Sequence, residues 1–177
     1  MNPVPKSLQR IADEIDGWLD LDCPERALER VEALLAHTEG RSAGLAFRIR
    51  ALIALGRHRE ALADIDELRQ GAQPHDWLDL CEAWSRKRLD DLPGAIRCME
   101  QLVQRNPKSD IGHFNLGCYL ALAGQRDRAI DEVTIACGLD EELREVARNE
   151  HDLDSLRSDA RFRELLRLRP GRPESDD

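Results

Sequence analysis

Four alanines recur at a fixed interval: Ala27, Ala61, Ala95 and Ala129 stand 34 residues apart. An aliphatic column, Leu28, Leu62, Ile96 and Ile130, keeps the same period. So do Val31, Ile65, Met99 and Val133, and then Leu34, Leu68, Leu102 and Ala136. Counted from each alanine these places fall at i, i+1, i+4 and i+7, the apolar stripe of an amphipathic helix. A period of this length held through four units marks a tandem supersecondary unit. No single unit can bury its apolar face, so the units must stack on one another.

Each unit also carries an earlier helical stripe. Ile11, Ile15 and Trp18 share one face, as do Leu45, Ile49 and Leu52, and later Leu116, Gly117 and Leu120. Gly56 and Gly124 stand between the two helices of their units, where a left-handed C-cap is wanted. Pro107 follows the second helix of the third unit, and Gly40, Gly71 and Gly138 are expected to end others. Ser7, Ser42, Asp76 and Ser109 are the candidate N-caps. The pattern predicts helix–turn–helix, four times over, with no strand.

This pattern resembles the tetratricopeptide repeat (TPR) family, whose signature is W-x₂-L-G-x₂-Y, then Ala, an aromatic or aliphatic residue, and Pro. The fourth unit matches best, with Leu116-Gly117, Gly124, Ala129-Ile130 and Ala136. Small residues are wanted there because the two helices of a pair cross closely, and a larger side chain would hold them apart. The resemblance covers residues 8–140 and implies an all-α chain, a right-handed α-solenoid of four TPR-type repeats. HEAT and armadillo repeats are longer. Residues 141–168 are then expected to be C-terminal capping helices, and 169–177 a disordered tail. The stretch 152–162 is similar to a closing motif common in bacterial TPR proteins, with Ala160 where proline is more usual. Val146, Leu153, Leu156, Phe162, Leu165 and Leu166 are the apolar residues available to cover the last repeat. Arg outnumbers Lys by 23 to 3, a bias expected of a GC-rich bacterial source.

The third unit departs from strict register. Kept in phase, its first helix would turn Asp79, Glu82 and Arg86 to the core. Moved two residues earlier, it offers Trp77, Leu80, Cys81 and Trp84 instead, an i, i+3, i+4, i+7 stripe. The shifted phase is favoured, with the two residues reappearing as a longer turn over 88–93. Under strict phase Trp77 and Trp84 would face the ligand groove.

Charge and chemistry narrow the function. Net charge is −9, which weighs against a general nucleic-acid or anionic-membrane binder. The Arg157, Arg161, Arg163, Arg167, Arg169 and Arg172 cluster is interleaved with Asp154, Asp159, Glu164 and Glu174, as on a solvated helix face. Residues 1–10 hold two prolines and no apolar stretch, so a secretory signal is not expected. The longest apolar segment, 116–123, is too short to cross a bilayer. Five widely spaced cysteines suggest no disulfide framework and a reduced cytoplasm. The five histidines have no metal-site spacing. Gly112-x₄-Gly117 is followed by Cys118 and Tyr119, so it is not a phosphate loop. No nucleophile elbow or dinucleotide fingerprint is present. An enzyme, a cofactor and a metal are therefore not expected.

The TPR resemblance implies a groove lined by the first helix of each pair, which binds a peptide or a partner's segment. Carried over place by place, the groove residues are Asp13, Asp16 and Asp20, then Ala46, Phe47 and Arg50. The third unit, in shifted phase, adds Leu78, Asp79, Glu82 and Arg86, and the fourth adds Phe114, Asn115 and Cys118. The acids favour a basic segment. One TPR subgroup grips chaperone C-termini with a Lys/Asn clamp; here Ala12, Asp16 and Phe47 hold those places, so that clamp is absent. The leading expectation is a cytoplasmic, monomeric or weakly homo-oligomeric adaptor. A small acidic secretion-type chaperone and a self-assembling structural module are the alternatives.

Overall fold

The computed structural model describes residues 4–70 and 75–167. Gly71, Leu168 and the expected tail at 169–177 lie outside the described residues. Within them the chain forms ten α-helices and three 3₁₀ segments, with no strand. The helices are α1 (Gln9–Asp20), α2 (Pro24–Leu35), α3 (Arg41–Ala54), α4 (His58–Gln70) and α5 (Asp76–Arg88). They continue as α6 (Leu92–Arg105), α7 (Asp110–Leu122), α8 (Arg126–Leu139), α9 (Leu143–Asn149) and α10 (Ala160–Arg167). The 3₁₀ segments are Lys6–Leu8, Thr38–Gly40 and His151–Leu156.

The turn inside each repeat is three residues long: 21–23, 55–57, 89–91 and 123–125. Its middle residue lies in the left-handed region every time: Asp22 (φ 53°), Gly56 (φ 70°), Asp90 (φ 62°) and Gly124 (φ 76°). These four stand 34 residues apart, and the aspartates fill the place because a short polar side chain tolerates that backbone. The longer turn expected at 88–93 is therefore absent. The third repeat keeps strict register, since an added residue would move Asp90 off the left-handed position.

Helix starts correct the sequence reading in part. Ser109 caps α7, its Oγ accepting from the Gly112 amide at 3.1 Å. Asp76 is already helical, and the cap is His75, whose Nδ1 accepts from the Trp77 amide at 3.1 Å. Ser7 lies in a 3₁₀ turn and Ser42 inside α3, and neither caps a helix. Gly138 sits in the last turn of α8 rather than after it, and Gly40 stands directly before α3.

The chain divides into two compact units, Met1–Asp91 and Leu92–Asp177. In the first, α1, α3 and α5 pack side by side, with α2 lodged against α1 and α3, and α4 against α3 and α5. Leu8, Ala12 and Ile15 meet Ala27, Val31 and Leu34 of α2 and Ala51 of α3. Leu45, Ala46 and Ile49 of α3 meet Ile65, Leu68 and Leu78.

In the second unit α7 lies against α6, α8 and the His151–Leu156 segment, and is buried on nearly every side. A Cβ on Gly117 would fall 2.5 Å from Val133 Cγ2 and 3.1 Å from the Ala129 carbonyl oxygen. The close crossing expected of the small residues is thus present. Leu153, Leu156 and Phe162 are fully buried, and Leu165 nearly so. Val146, expected among the covering residues, is 46% exposed, because α9 turns Leu143 and Ala147 inward instead.

All four repeat alanines are fully buried, as are Val31, Ile65, Met99 and Val133. Leu28 and Leu62 of the second column are only half-buried. Gly117→Val should lower stability by roughly 1–3 kcal/mol through overpacking at the crossing. Gly124→Val, which meets open space, should cost about 1–2 kcal/mol through its backbone alone. Phe162→Ala should cost about 3–5 kcal/mol. Urea unfolding followed by circular dichroism measures all three.

Candidate functional site

The 34-residue register sets columns of side chains across α1, α3 and α5. One column is Asp13, Phe47 and Cys81; the next is Asp16, Arg50 and Trp84. Arg50 Nη1 donates to Asp16 Oδ1 at 2.6 Å, and its Nη2 lies 3.9 Å from Asp20. The same guanidinium stands 5.9 Å from the Phe47 ring centroid. Asp13 is exposed and accepts from Gln9 Nε2 at 2.8 Å. Burial pushes the Cys81 thiol up to about 12, with the positive charge of Arg50 opposing it only weakly. The Cys81 side chain packs against the core formed by α3, α4 and α5.

Trp84 is 40% exposed. The Lys87 ammonium lies 5.4 Å and the Arg88 guanidinium 5.6 Å from its ring. An exposed indole between two cations makes an amphipathic anchor on α5.

On α5 the structure overturns the shifted phase. Leu78, Glu82, Ala83 and Ser85 form the buried face, while Trp77 and Cys81 are only partly covered. Charges read as misfits on a core face stay there because they are paired. Arg69 donates to Glu82 at 2.5 Å and to Asp79 at 2.9 Å. Arg86 donates to the other Glu82 oxygen at 2.8 Å and to Asp91 at 2.8 Å. Burial alone would raise the Glu82 carboxyl, but hydrogen bonds from Arg86 and Arg69 outweigh it and hold the group below the usual carboxylate range.

Five expected groove residues are thus not surface residues. Ala46 and Leu78 lie in the core shared by α3, α4 and α5, and Glu82 is 5% exposed inside its ion-pair network. Phe114 and Cys118 are buried in the second unit, where α7 is packed on nearly every side. Asn115 is half-exposed there. Asp13, Asp16, Asp20, Phe47 and Arg50 lie together on the first unit, and Asp79 and Arg86 belong to the network around Glu82. Trp84 enters the surface because strict register turns it outward. Among the described residues no group of three or more His, Cys, Asp and Glu is arranged to hold a metal ion.

No protein-family model matches the chain, and no curated protein matches it in sequence. Solved structures do. "MamA RS-1 ArsTM double mutant" superposes with a TM-score of 0.72 at 17% identity, covering 92% of this chain and 96% of that one. "MamA 41-end from Desulfovibrio magneticus RS-1" gives 0.71 at 18% identity, over 83% of each chain. YrrB, described as a TPR protein with an unusual peptide-binding site, gives 0.67 at 13% identity, over 93% of this chain and 89% of that one. The fold is that of a TPR protein. In TPR terms α1, α3, α5 and α7 are first helices and α2, α4, α6 and α8 second helices, and the columns described above belong to the first-helix surface. None of the helices among the described residues is long and apolar enough to cross a membrane.

The Glu82 network gives a pH signature. Its folded value lies below the unfolded one, so the contribution is full above about pH 4.3 and is lost as pH falls through the folded value. Glu82→Gln should cost about 1–3 kcal/mol at neutral pH and flatten the acid limb of stability. Melting temperatures of both proteins from pH 7 to pH 3 measure this.

Proposed function

We propose that this TPR protein is a non-catalytic interaction scaffold that holds a peptide or protein segment on the first-helix surface of α1, α3 and α5. One observation supports the reading above others: Trp84 remains 40% exposed between Lys87 and Arg88, in a 34-residue column with Arg50 and Asp16. Large aromatics anchored among arginines are the side chains that dominate protein interfaces. The helices are already ordered, so on binding only the segment loses conformational freedom. A neighbour in fold, YrrB, is described as having a peptide-binding site, which favours the same use here.

Asp13, Asp16, Asp20, Phe47 and Arg50 are proposed to contact the segment beside Trp84. The surface is less acidic than its residue types imply. Arg50 is shared by Asp16 and Asp20, and Arg69 and Arg86 answer Asp79 and Glu82. Apolar contact with Trp84 and Phe47 then outweighs attraction to a basic segment. Asp13, which makes no ion pair among the described residues, remains the place where a basic group would settle.

Selection of a displayed peptide library on the immobilised protein should enrich a family of sequences carrying an apolar anchor. Trp84→Ala should weaken the selected peptides at least tenfold by calorimetry without changing the thermal melt. Selected peptides that bind Trp84→Ala as tightly as the parent would move the site off this surface.

A further inference from the structure

The first-helix surface of the first unit changes sign from one edge to the other. On α1 the outward stripe is Asp13, Asp16 and Asp20, at i, i+3 and i+7. One period on, α3 puts Phe47, Arg50 and Ala54 at those places, and one further period on, α5 puts Cys81, Trp84 and Arg88 there. The three stripes belong to one face. Arg50 joins α3 to α1 by donating to Asp16 at 2.6 Å. Across on α5, burial raises the Cys81 thiol and the Arg50 charge works against that rise, so Arg50 lies near this helix as well.

Each edge keeps charge that the fold leaves unspent. Asp13 is exposed and held only by the uncharged Gln9 amide at 2.8 Å. Asp20 is exposed and lies 3.9 Å from Arg50, beyond hydrogen-bond reach. At the other edge Arg88 is exposed and makes no ion pair among the described residues. Its guanidinium stands 5.6 Å from the Trp84 ring, and the Lys87 ammonium stands 5.4 Å from the same ring. Between the acids of α1 and the cations of α5 lie the half-buried Phe47 and the exposed Trp84.

Resting on the reading of this surface as a peptide site, we propose that its ligand is an extended segment of mixed charge. A basic side chain settles on Asp13 and Asp20 of α1, an apolar side chain on Trp84, and a carboxylate on Arg88. Neighbouring helix axes lie about 8–10 Å apart, so α1 and α5, with α3 between them, are separated by about 16–20 Å. An extended chain rises about 3.3 Å per residue, which sets the basic and acidic residues of the segment about five or six positions apart. A wholly basic segment would meet Arg88 and Lys87, and a wholly acidic one the α1 stripe, so like-charge contact disfavours both. The opposed edges also fix the direction in which the segment runs.

The test uses three short peptides with the same apolar centre and two charged residues about five positions apart: Lys with Glu, Lys with Lys, or Glu with Glu. Each is titrated with the full chain by fluorescence anisotropy. The mixed peptide should bind about tenfold more tightly than either like-charged one. Asp13→Lys combined with Asp20→Lys should hand the preference to the Glu/Glu peptide, and Arg88→Glu should hand it to the Lys/Lys peptide. All three positions are exposed, so these variants should keep the parent's thermal melt. Peptides that lose affinity with Trp84→Ala but show no charge preference would overturn this inference and leave the interaction surface standing. Peptides that bind Trp84→Ala as tightly as the parent would overturn both. A mixed-charge preference that survives Arg88→Glu would also overturn the inference. So would self-association of the chain that Arg88→Glu abolishes, because the two edges would then pair with those of a second copy.

Discussion

The close crossing of first and second helices is the contact on which the rest of this structure depends. It works because one side chain on the second helix is very small. Ala27, Ala61 and Ala129 are fully buried in the α1–α2, α3–α4 and α7–α8 pairs, and at the α7–α8 crossing Gly117 leaves no room even for a Cβ. Helices brought this near gain dense packing along the aliphatic columns beside the alanine. A three-residue turn must then reverse the chain over a short span. That demand falls on one left-handed residue, met by glycine in two repeats and aspartate in the other two.

With the crossing and the turn set, freedom remains in what each first helix turns toward the core. The repeats use it differently. In α3 the inward places are aliphatic or glycine and in α7 they also include His113, Phe114 and Tyr119, while α5 turns Glu82 inward and surrounds it with Arg69 and Arg86. A buried carboxylate costs desolvation, which the hydrogen bonds from Arg86 and Arg69 outweigh. The consequence for the surface is direct. Because α5 keeps register, Trp77 packs only partly on the core and Trp84 is left to solvent, one 34-residue step from Arg50.

Repetition also shows how the same place differs between units. A side chain that is structural in one repeat becomes available where its partner differs. Leu52 is covered, and Trp18, its equivalent, is partly exposed. Glu60 has Arg57, and Arg26, its equivalent, makes no ion pair among the described residues and stands over the Trp18 ring. Binding capacity in a repeat protein of this kind lies in the departures from its own pattern.

The repeat, its helical period, the left-handed glycines at 56 and 124 and the all-α fold were legible in the amino-acid sequence, because each depends on residues near one another in the chain. Asp22 and Asp90 carry the same turn signal less plainly, because aspartate enters the left-handed region less readily than glycine. The inward face of α5 was not legible. Periodicity ranks Trp77, Leu80, Cys81 and Trp84 above Asp79, Glu82 and Arg86, since it counts apolar side chains and cannot see that Arg69, thirteen residues before Glu82, arrives to neutralise it. Phe114 and Cys118 are buried for a related reason: α7 is packed against α6, α8 and the 3₁₀ segment His151–Leu156, the last arriving from far along the chain. Local sequence determined where helices begin, turn and repeat. Tertiary structure decided which polar groups meet a partner and which helix faces are covered, because both depend on contacts between residues distant in sequence.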